Sequence, residues 1–141
     1  MKQTVVLSIC GKQFYEGQDP EVIELVTEGT MERIETGWDI CYEESSLTGM
    51  EGVTTCFRVE PDKITLTRTG RLHSQMVFQI GVMHESLYRM EFGTLMITVC
   101  ASRLEYDINQ QGGTVDLTYG IDIEQSAGGL VEYHLDIKVK S

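Results

Sequence analysis

Apolar and polar residues alternate along several segments of the chain, most clearly over residues 131–139. Its odd-numbered positions carry Val, Tyr, Leu, Ile and Val, whereas its even-numbered positions carry Glu, His, Asp and Lys. Successive side chains of a strand point to opposite faces, so this pattern places one set on a core and the other in water. The same alternation over 115–123 and 104–108 predicts two further strands.

Turn-forming residues separate these segments. Pro61 lies in a predicted turn between 53–59 and 64–68, both rich in β-branched residues, and glycine pairs lie in 109–113 and 126–129. Roughly nine or ten short strands at regular spacing are typical of a β-sandwich or barrel. Segment 20–31 leaves two interpretations open. Asp19 and Pro20 could begin a short helix, but Thr27 and Gly29 favour a strand, and 83–90 has the same ambiguity.

Composition fits one soluble domain spanning residues 1–141, with 41% hydrophobic and 23% charged residues. No run approaches the roughly 20 apolar residues of a membrane span. The first ten residues are a poor match to a signal peptide. We therefore expect a mature protein that begins at Met1 and stays in the cytoplasm.

The formal net charge of −11 argues against two classes of partner. Nucleic-acid binders cluster Lys and Arg, and only Lys138 and Lys140 come close to a cluster here. Excess negative charge also repels anionic lipid surfaces. The sequence thus predicts neither a nucleic-acid nor a membrane partner, and it leaves a homodimer open.

Cysteine and histidine spacing favours neither disulfides nor a metal. The four cysteines, Cys10, Cys41, Cys56 and Cys100, form no C-x-x-C pair, and we expect all to be free thiols. His73 and His84 are placed in loops and His134 on the polar face of the last strand, each with a surface role. We expect no metal site and no cofactor.

Two charged residues share a face with apolar neighbours. Arg68 is in phase with Ile64 and Leu66, and Glu44 is in phase with the alternating residues Trp38, Ile40 and Tyr42. A charge on a core face is costly unless it is paired. Arg68 and Glu44 could therefore pair, meet a polar ligand at a barrel mouth, or lie where their strands end in water.

Two further segments carry large apolar side chains at alternate positions, and these could line a pocket or pack in a core. They are Tyr88, Met90 and Phe92, and Met76, Phe78 and Ile80. The candidate ligand-binding residues are Tyr42, Glu44, Arg68 and Tyr88. No catalytic residue is selected, because no phosphate loop, dinucleotide fingerprint or Gly-x-Ser-x-Gly elbow is present.

Five segments, taken in order, resemble one known family. They are 23–29 (IELVTEG), 42–44 (YEE), 47–55 (LTGMEGVTT), 67–70 (TRTG) and 92–95 (FGTL). The chain is similar to the YwiB-like family, a bacterial domain of unknown function assigned to the calycin-like β-barrels, which include lipocalins. The resemblance implies one antiparallel closed barrel of about 8–10 strands. It supplies no activity and no catalytic residue.

Three functions are weighed. The leading hypothesis is a binding module that holds a small, largely apolar ligand in the barrel mouth, since a small barrel can either enclose one ligand or fill with side chains. The alternative is a protein-interaction or structural domain with a packed barrel core. An enzyme acting through Glu44, Arg68 and Tyr42 ranks last, because no nucleophile-and-base pattern accompanies them.

Overall fold

The structure is a computed structural model that describes residues 2–15, 17–45, 51–90, 93–123 and 128–140. Every regular element in these ranges is a β-strand, and no helix occurs in them. In the same ranges there is no helix long and apolar enough to cross a membrane.

Ten strands account for the described elements, and their bounds follow in chain order. They are β1 (Lys2–Tyr15), β2 (Glu21–Ile34), β3 (Gly37–Glu43), β4 (Val53–Glu60), β5 (Lys63–Gly70), β6 (Ser74–Phe78), β7 (Met83–Met90), β8 (Gly93–Asn109), β9 (Gly112–Ile123) and β10 (Gly129–Val139).

The strands form one antiparallel sheet in the order β6-β5-β4-β3-β2-β1-β10-β9-β8-β7. Its two edges approach each other, so the sheet curls into a nearly closed barrel. His73 and Arg89 exchange two backbone hydrogen bonds of 3.0 and 2.8 Å across this seam, and the Ser86 hydroxyl donates to the Gln75 carbonyl. The predicted all-β barrel is confirmed, and it is consistent with the calycin-like fold that the resemblance implies.

The alternating pattern placed the strands correctly. Segment 131–139 falls within β10, 115–123 within β9, and the two runs around Pro61 became β4 and β5. The ambiguous segments 20–31 and 83–90 are strands as well. In β2, pairing with β1 over twelve residues outweighs the cap-like start at Asp19 and Pro20.

A continuous core fills much of the barrel interior. The largest fully buried side chains come from inward positions of eight strands. These are Phe57, Phe78, Leu7, Met31, Ile40, Ile64, Leu66, Leu117, Leu135, Val5, Val53 and Val59. None of them lines the cavity described below.

One loop assignment was wrong: His84 lies in β7, where its Nε2 is 2.7 Å from Gln79 Oε1. His73 lies in the connection between β5 and β6, as predicted, and pairs with Arg89 across the seam. Ile80 is also not part of an inward stripe with Met76 and Phe78: β6 ends at Phe78, and Ile80 is 54% exposed. The predicted positions of Phe92, the Met90 side chain and the 126–127 turn lie outside the described residues.

The expectation of four free thiols was also wrong. Cys41 and Cys56 form a disulfide, whereas Cys10 and Cys100 are free. The two paired cysteines lie directly opposite each other on β3 and β4, with their Cα atoms 4.1 Å apart. Alternation along each strand carries no information on how the two strands are aligned, so it could not reveal this pairing.

Candidate functional site

One end of the barrel interior is not filled by side chains. A cavity of about 370 Å³ opens there, and it is lined by the end of β1, the start of β2, the end of β9 and the start of β10. This volume falls within the usual range of small-molecule sites, about 300–1,000 Å³. We call it the barrel cavity; its apolar wall includes Ile9, Ile23, Leu25, Ile97, Ile121 and Val131.

Gly11 helps to keep this space open. It occupies an inward position of β1 directly opposite Tyr133 on β10. A Cβ atom at Gly11 would lie 3.1 Å from Tyr133 Cε1, closer than normal packing allows. The glycine therefore leaves room for the tyrosine ring on the cavity wall.

Tyrosine dominates the aromatic part of the wall. Five of the six tyrosines in the chain line the barrel cavity: Tyr15, Tyr42, Tyr88, Tyr119 and Tyr133. Tyr119 and Tyr133 stack with their ring centroids 6.3 Å apart. A tyrosine offers an apolar ring and a hydroxyl group that donates or accepts, so this wall suits a ligand with both kinds of surface.

A row of polar residues crosses four neighbouring strands at the cavity. Tyr42, Thr55, Arg68 and Ser74 lie opposite one another on β3, β4, β5 and β6. All four side chains are buried. Inward positions of a barrel are normally apolar, and four adjacent polar residues at one level therefore mark this as an unusual part of the interior.

Glu44 joins this row from the end of β3. Its backbone N–H donates to the Val53 carbonyl at 2.8 Å, which extends the β3–β4 pairing by one residue. Its Oε2 accepts a hydrogen bond of 2.5 Å from the Thr55 hydroxyl. The carboxylate is thus bound to the wall of the barrel through Thr55.

Arg68 is a buried cation, 8% exposed. Among the described residues, its Nε has no hydrogen-bond partner, nor does the Ser74 hydroxyl opposite it. Burial is the largest influence on the guanidinium and opposes its charge, but an arginine side chain is not deprotonated in proteins. The guanidinium is therefore charged, and leaving one of its donors unsatisfied costs free energy.

Two of the cavity tyrosines are held in the protonated form. Burial, followed by the nearby Glu44 carboxylate, raises the pKa of Tyr42 well above its usual value. Burial likewise raises the pKa of Tyr119. Their hydroxyl groups consequently stay protonated at every physiological pH, and that of Tyr42 is hydrogen-bonded to the Glu44 carboxylate.

The four candidate residues from the sequence, Tyr42, Glu44, Arg68 and Tyr88, all line this one cavity. The interpretation in which Arg68 and Glu44 reach water at strand ends is wrong, because they are only 8% and 7% exposed. They are not joined directly either. No salt bridge within 4 Å connects them among the described side chains.

Four other polar residues of the site were missed: Thr55, Ser74, Tyr119 and Tyr133. Tyr119 and Tyr133 were read as ordinary core positions of β9 and β10. Thr55 and Ser74 are in phase with apolar residues on β4 and β6, which is a detectable signal. Short hydroxyl side chains on a core face are common, however, and only strand alignment brings these to Arg68.

No cluster of three or more His, Cys, Asp or Glu side chains suited to a metal ion occurs in the described part of the chain. The chemistry of the barrel cavity is instead that of one cation, one carboxylate, phenol hydroxyls and apolar walls.

Residues 7–137 match the model of a protein family described as domain of unknown function DUF1934. The chain belongs to the DUF1934 family. The family description assigns no activity, so the geometry above carries the functional argument.

Among solved structures, the crystal structure of the ywiB protein from Bacillus subtilis superimposes with a TM-score of 0.88 at 18% sequence identity. The match covers 99% of this chain and 94% of that one. At this identity the likeness shows a shared fold. No curated protein matches the chain.

Proposed function

We propose that the protein is a binding module that holds a small, largely apolar molecule in the barrel cavity. The observation that carries this proposal is the half-filled interior: a packed core on one side and about 370 Å³ of open space on the other. A structural barrel gains stability by filling its interior, because unfilled volume forfeits packing interactions. A ligand-binding function therefore explains a cavity of this size, whereas a purely structural role does not.

The composition of the wall also favours binding. Apolar side chains surround most of the cavity, and a small number of polar groups converge on one part of it. This combination is typical of small-molecule sites, where apolar contact supplies affinity and a few polar groups fix orientation. At the rim, Ile23 is 44% exposed, which leaves apolar surface for an entering ligand to cover.

The experiment is a titration with N-phenyl-1-naphthylamine, a neutral apolar dye whose fluorescence rises in apolar surroundings. The wild-type protein is expected to bind its naphthyl group in the barrel cavity, with the phenyl ring at the open rim beside Ile23. Native mass spectrometry of the freshly purified protein should also reveal a bound small molecule as added mass.

Two neighbouring positions on β2 provide a matched pair of variants. Leu25 points into the cavity, whereas Val26 points outward and is 71% exposed. Leu25→Trp should fill the cavity and weaken dye binding by about tenfold or more, corresponding to about 1.4 kcal/mol. Val26→Trp should leave binding unchanged. Absence of dye binding to the wild-type protein, or equal binding by both variants, contradicts the proposal.

A further inference from the structure

We propose that the ligand of the barrel cavity is an amphipathic monoanion, whose acidic group contacts Arg68 and whose apolar part packs against the wall formed by Ile23, Leu25 and Ile97. This inference rests on the proposed binding function and specifies the chemical class of the ligand. It is drawn from a difference between the two charged residues of the cavity. Glu44 accepts a hydrogen bond from Thr55, whereas the Nε of Arg68 has no hydrogen-bond partner among the described residues.

The first step concerns the cation. Arg68 is more than nine-tenths buried, lines the cavity, and has an Nε without a hydrogen-bond partner. The Ser74 hydroxyl, opposite Arg68 on β6, also lacks a partner. Buried polar groups in native proteins are almost always satisfied, and an exception calls for a missing partner. Arg68 and Ser74 are paired on neighbouring strands, and of the two it is Arg68 that lines the barrel cavity, where a ligand could supply the missing partner.

The second step concerns the carboxylate. Glu44 accepts a hydrogen bond from Thr55, which lies on the strand between those of Glu44 and Arg68. Its charge is also close enough to Tyr42 to act on that hydroxyl. The carboxylate is therefore engaged by the protein on its own side of the cavity. A ligand cation would have to enter beside the buried guanidinium, whose charge repels it.

The third step concerns the other donors. Tyr88, Tyr119 and Tyr133 line the same cavity as Arg68. Phenol O–H groups donate strong hydrogen bonds to carboxylates. A buried guanidinium and phenol hydroxyls that line one cavity can thus bind one acidic group together. One cation suits a single negative charge, such as a carboxylate, better than a doubly charged phosphate.

The volume of the barrel cavity limits the size of the ligand. A volume of about 370 Å³ holds about twelve heavy atoms, at roughly 30 Å³ each, the share of one water molecule in the liquid. Decanoate has this size and combines a carboxylate with a flexible apolar chain. It is therefore a suitable probe for the chemical class.

The test compares decanoate, decanamide and decylammonium by isothermal titration calorimetry on the whole chain. These probes share one apolar chain and differ in the charge of the head group. Decanoate should bind about 10- to 100-fold more tightly than decanamide, the range expected for a hydrogen bond to a charged partner. Decylammonium should bind more weakly than decanamide.

The variants assign the preference to Arg68. Arg68→Met should reduce decanoate affinity to that of decanamide and leave decanamide affinity unchanged. Arg68→Lys, which keeps a positive charge, should retain part of the preference and serves as a second variant. Arg58→Met is the matched control, because Arg58 lies on the outer face of neighbouring β4 and pairs with Asp39. It should not alter binding of any probe.

The outcomes separate the two proposals. Equal affinity for all three probes, or a preference for decanoate that survives in Arg68→Met, overturns the monoanion inference while the binding function stands. Failure of the wild-type protein to bind decanoate, decanamide and the neutral dye overturns both.

Discussion

Thr55 and Arg68 lie directly opposite each other on β4 and β5, and both side chains are buried on the inner face of the barrel. Thr55 directs its hydroxyl to Glu44 and not to the guanidinium beside it. The polar row therefore satisfies its carboxylate from within the protein and leaves a donor of its cation unsatisfied. This asymmetry underlies the first two predictions.

Replacing Arg68 should stabilise the fold. Methionine has a similar length and no charge, so Arg68→Met removes a buried cation that has an unsatisfied donor. We expect the free energy of unfolding to increase by about 1–3 kcal/mol, measured by urea denaturation. Arg58→Met on the outer face, where the side chain is 54% exposed, should change it by no more than about 1 kcal/mol. A clear loss of stability in Arg68→Met would mean that the protein already satisfies the charge.

Thr55→Val should have the opposite effect. Valine has the same shape as threonine, so the packing is retained while the Glu44 carboxylate loses a hydrogen bond at a fully buried position. The expected loss is about 1.5–3 kcal/mol of unfolding free energy. Thr54→Val, one residue earlier on the outer face of β4, is the control and should be near neutral. Equal effects of the two substitutions would contradict the role given to the Thr55–Glu44 hydrogen bond.

The Cys41–Cys56 disulfide gives a prediction on stability and on thiol number. It links residues 15 apart in sequence, and a cross-link that closes a loop of this length contributes about 3 kcal/mol. A reducing agent should lower the unfolding free energy by about this amount. Thiol titration of the unfolded, unreduced protein should find two groups, Cys10 and Cys100. Four titratable thiols would show that the bond is absent.

This disulfide also changes the argument on location. Four free thiols would have agreed with the cytoplasmic location expected from the sequence. A formed disulfide is more typical of oxidising compartments. The cysteines therefore no longer support a cytoplasmic location, which stays a prediction.

His134 should give the outer face a weak dependence on pH. Its Nδ1 is 2.7 Å from Asp116 Oδ1, and this hydrogen bond, opposed by partial burial, raises the histidine pKa. The folded state then holds the proton more tightly than the unfolded chain. The resulting stabilisation is complete below the unfolded pKa, about 6.5, and is lost as pH rises through the folded pKa.

The measurement compares the wild-type protein with Asp116→Asn in urea, from about pH 5.5 to about pH 8.5. The wild-type advantage should be largest at low pH and no greater than about 1 kcal/mol, because the histidine side chain is 43% exposed. The NMR titration of His134 should shift to lower pH in Asp116→Asn. An advantage that grows with rising pH would contradict the assignment.

The alternation of apolar and polar residues predicted most of the strands and two charged residues of the candidate site. Arg68 and Glu44 were found because each is in phase with apolar neighbours on its own strand, a property visible in one segment at a time. The disulfide and the placement of Thr55 opposite Arg68 depend on how separate strands are aligned. That alignment is fixed by packing over the whole barrel, so no single segment reveals it.

The volume of the barrel cavity could not be predicted from the sequence either. Tyr119 and Tyr133 alternate with polar residues as any core residue would, and the pattern does not tell whether their rings meet in the middle or leave a gap. Gly11 shows the difficulty, since a Cβ atom at this one position of β1 would crowd the Tyr133 ring at 3.1 Å. Cavity size is a sum over many such positions on different strands.

The most direct test of binding in the barrel cavity is NMR of the tyrosine rings during titration with N-phenyl-1-naphthylamine. Five of the six tyrosines line the cavity, and Tyr106, on β8, does not, so the chain contains its own control. An aromatic dye in the cavity should shift the ring signals of Tyr15, Tyr42, Tyr88, Tyr119 and Tyr133 and leave Tyr106 unchanged. No shifts at saturating dye, or shifts confined to Tyr106, would contradict the account.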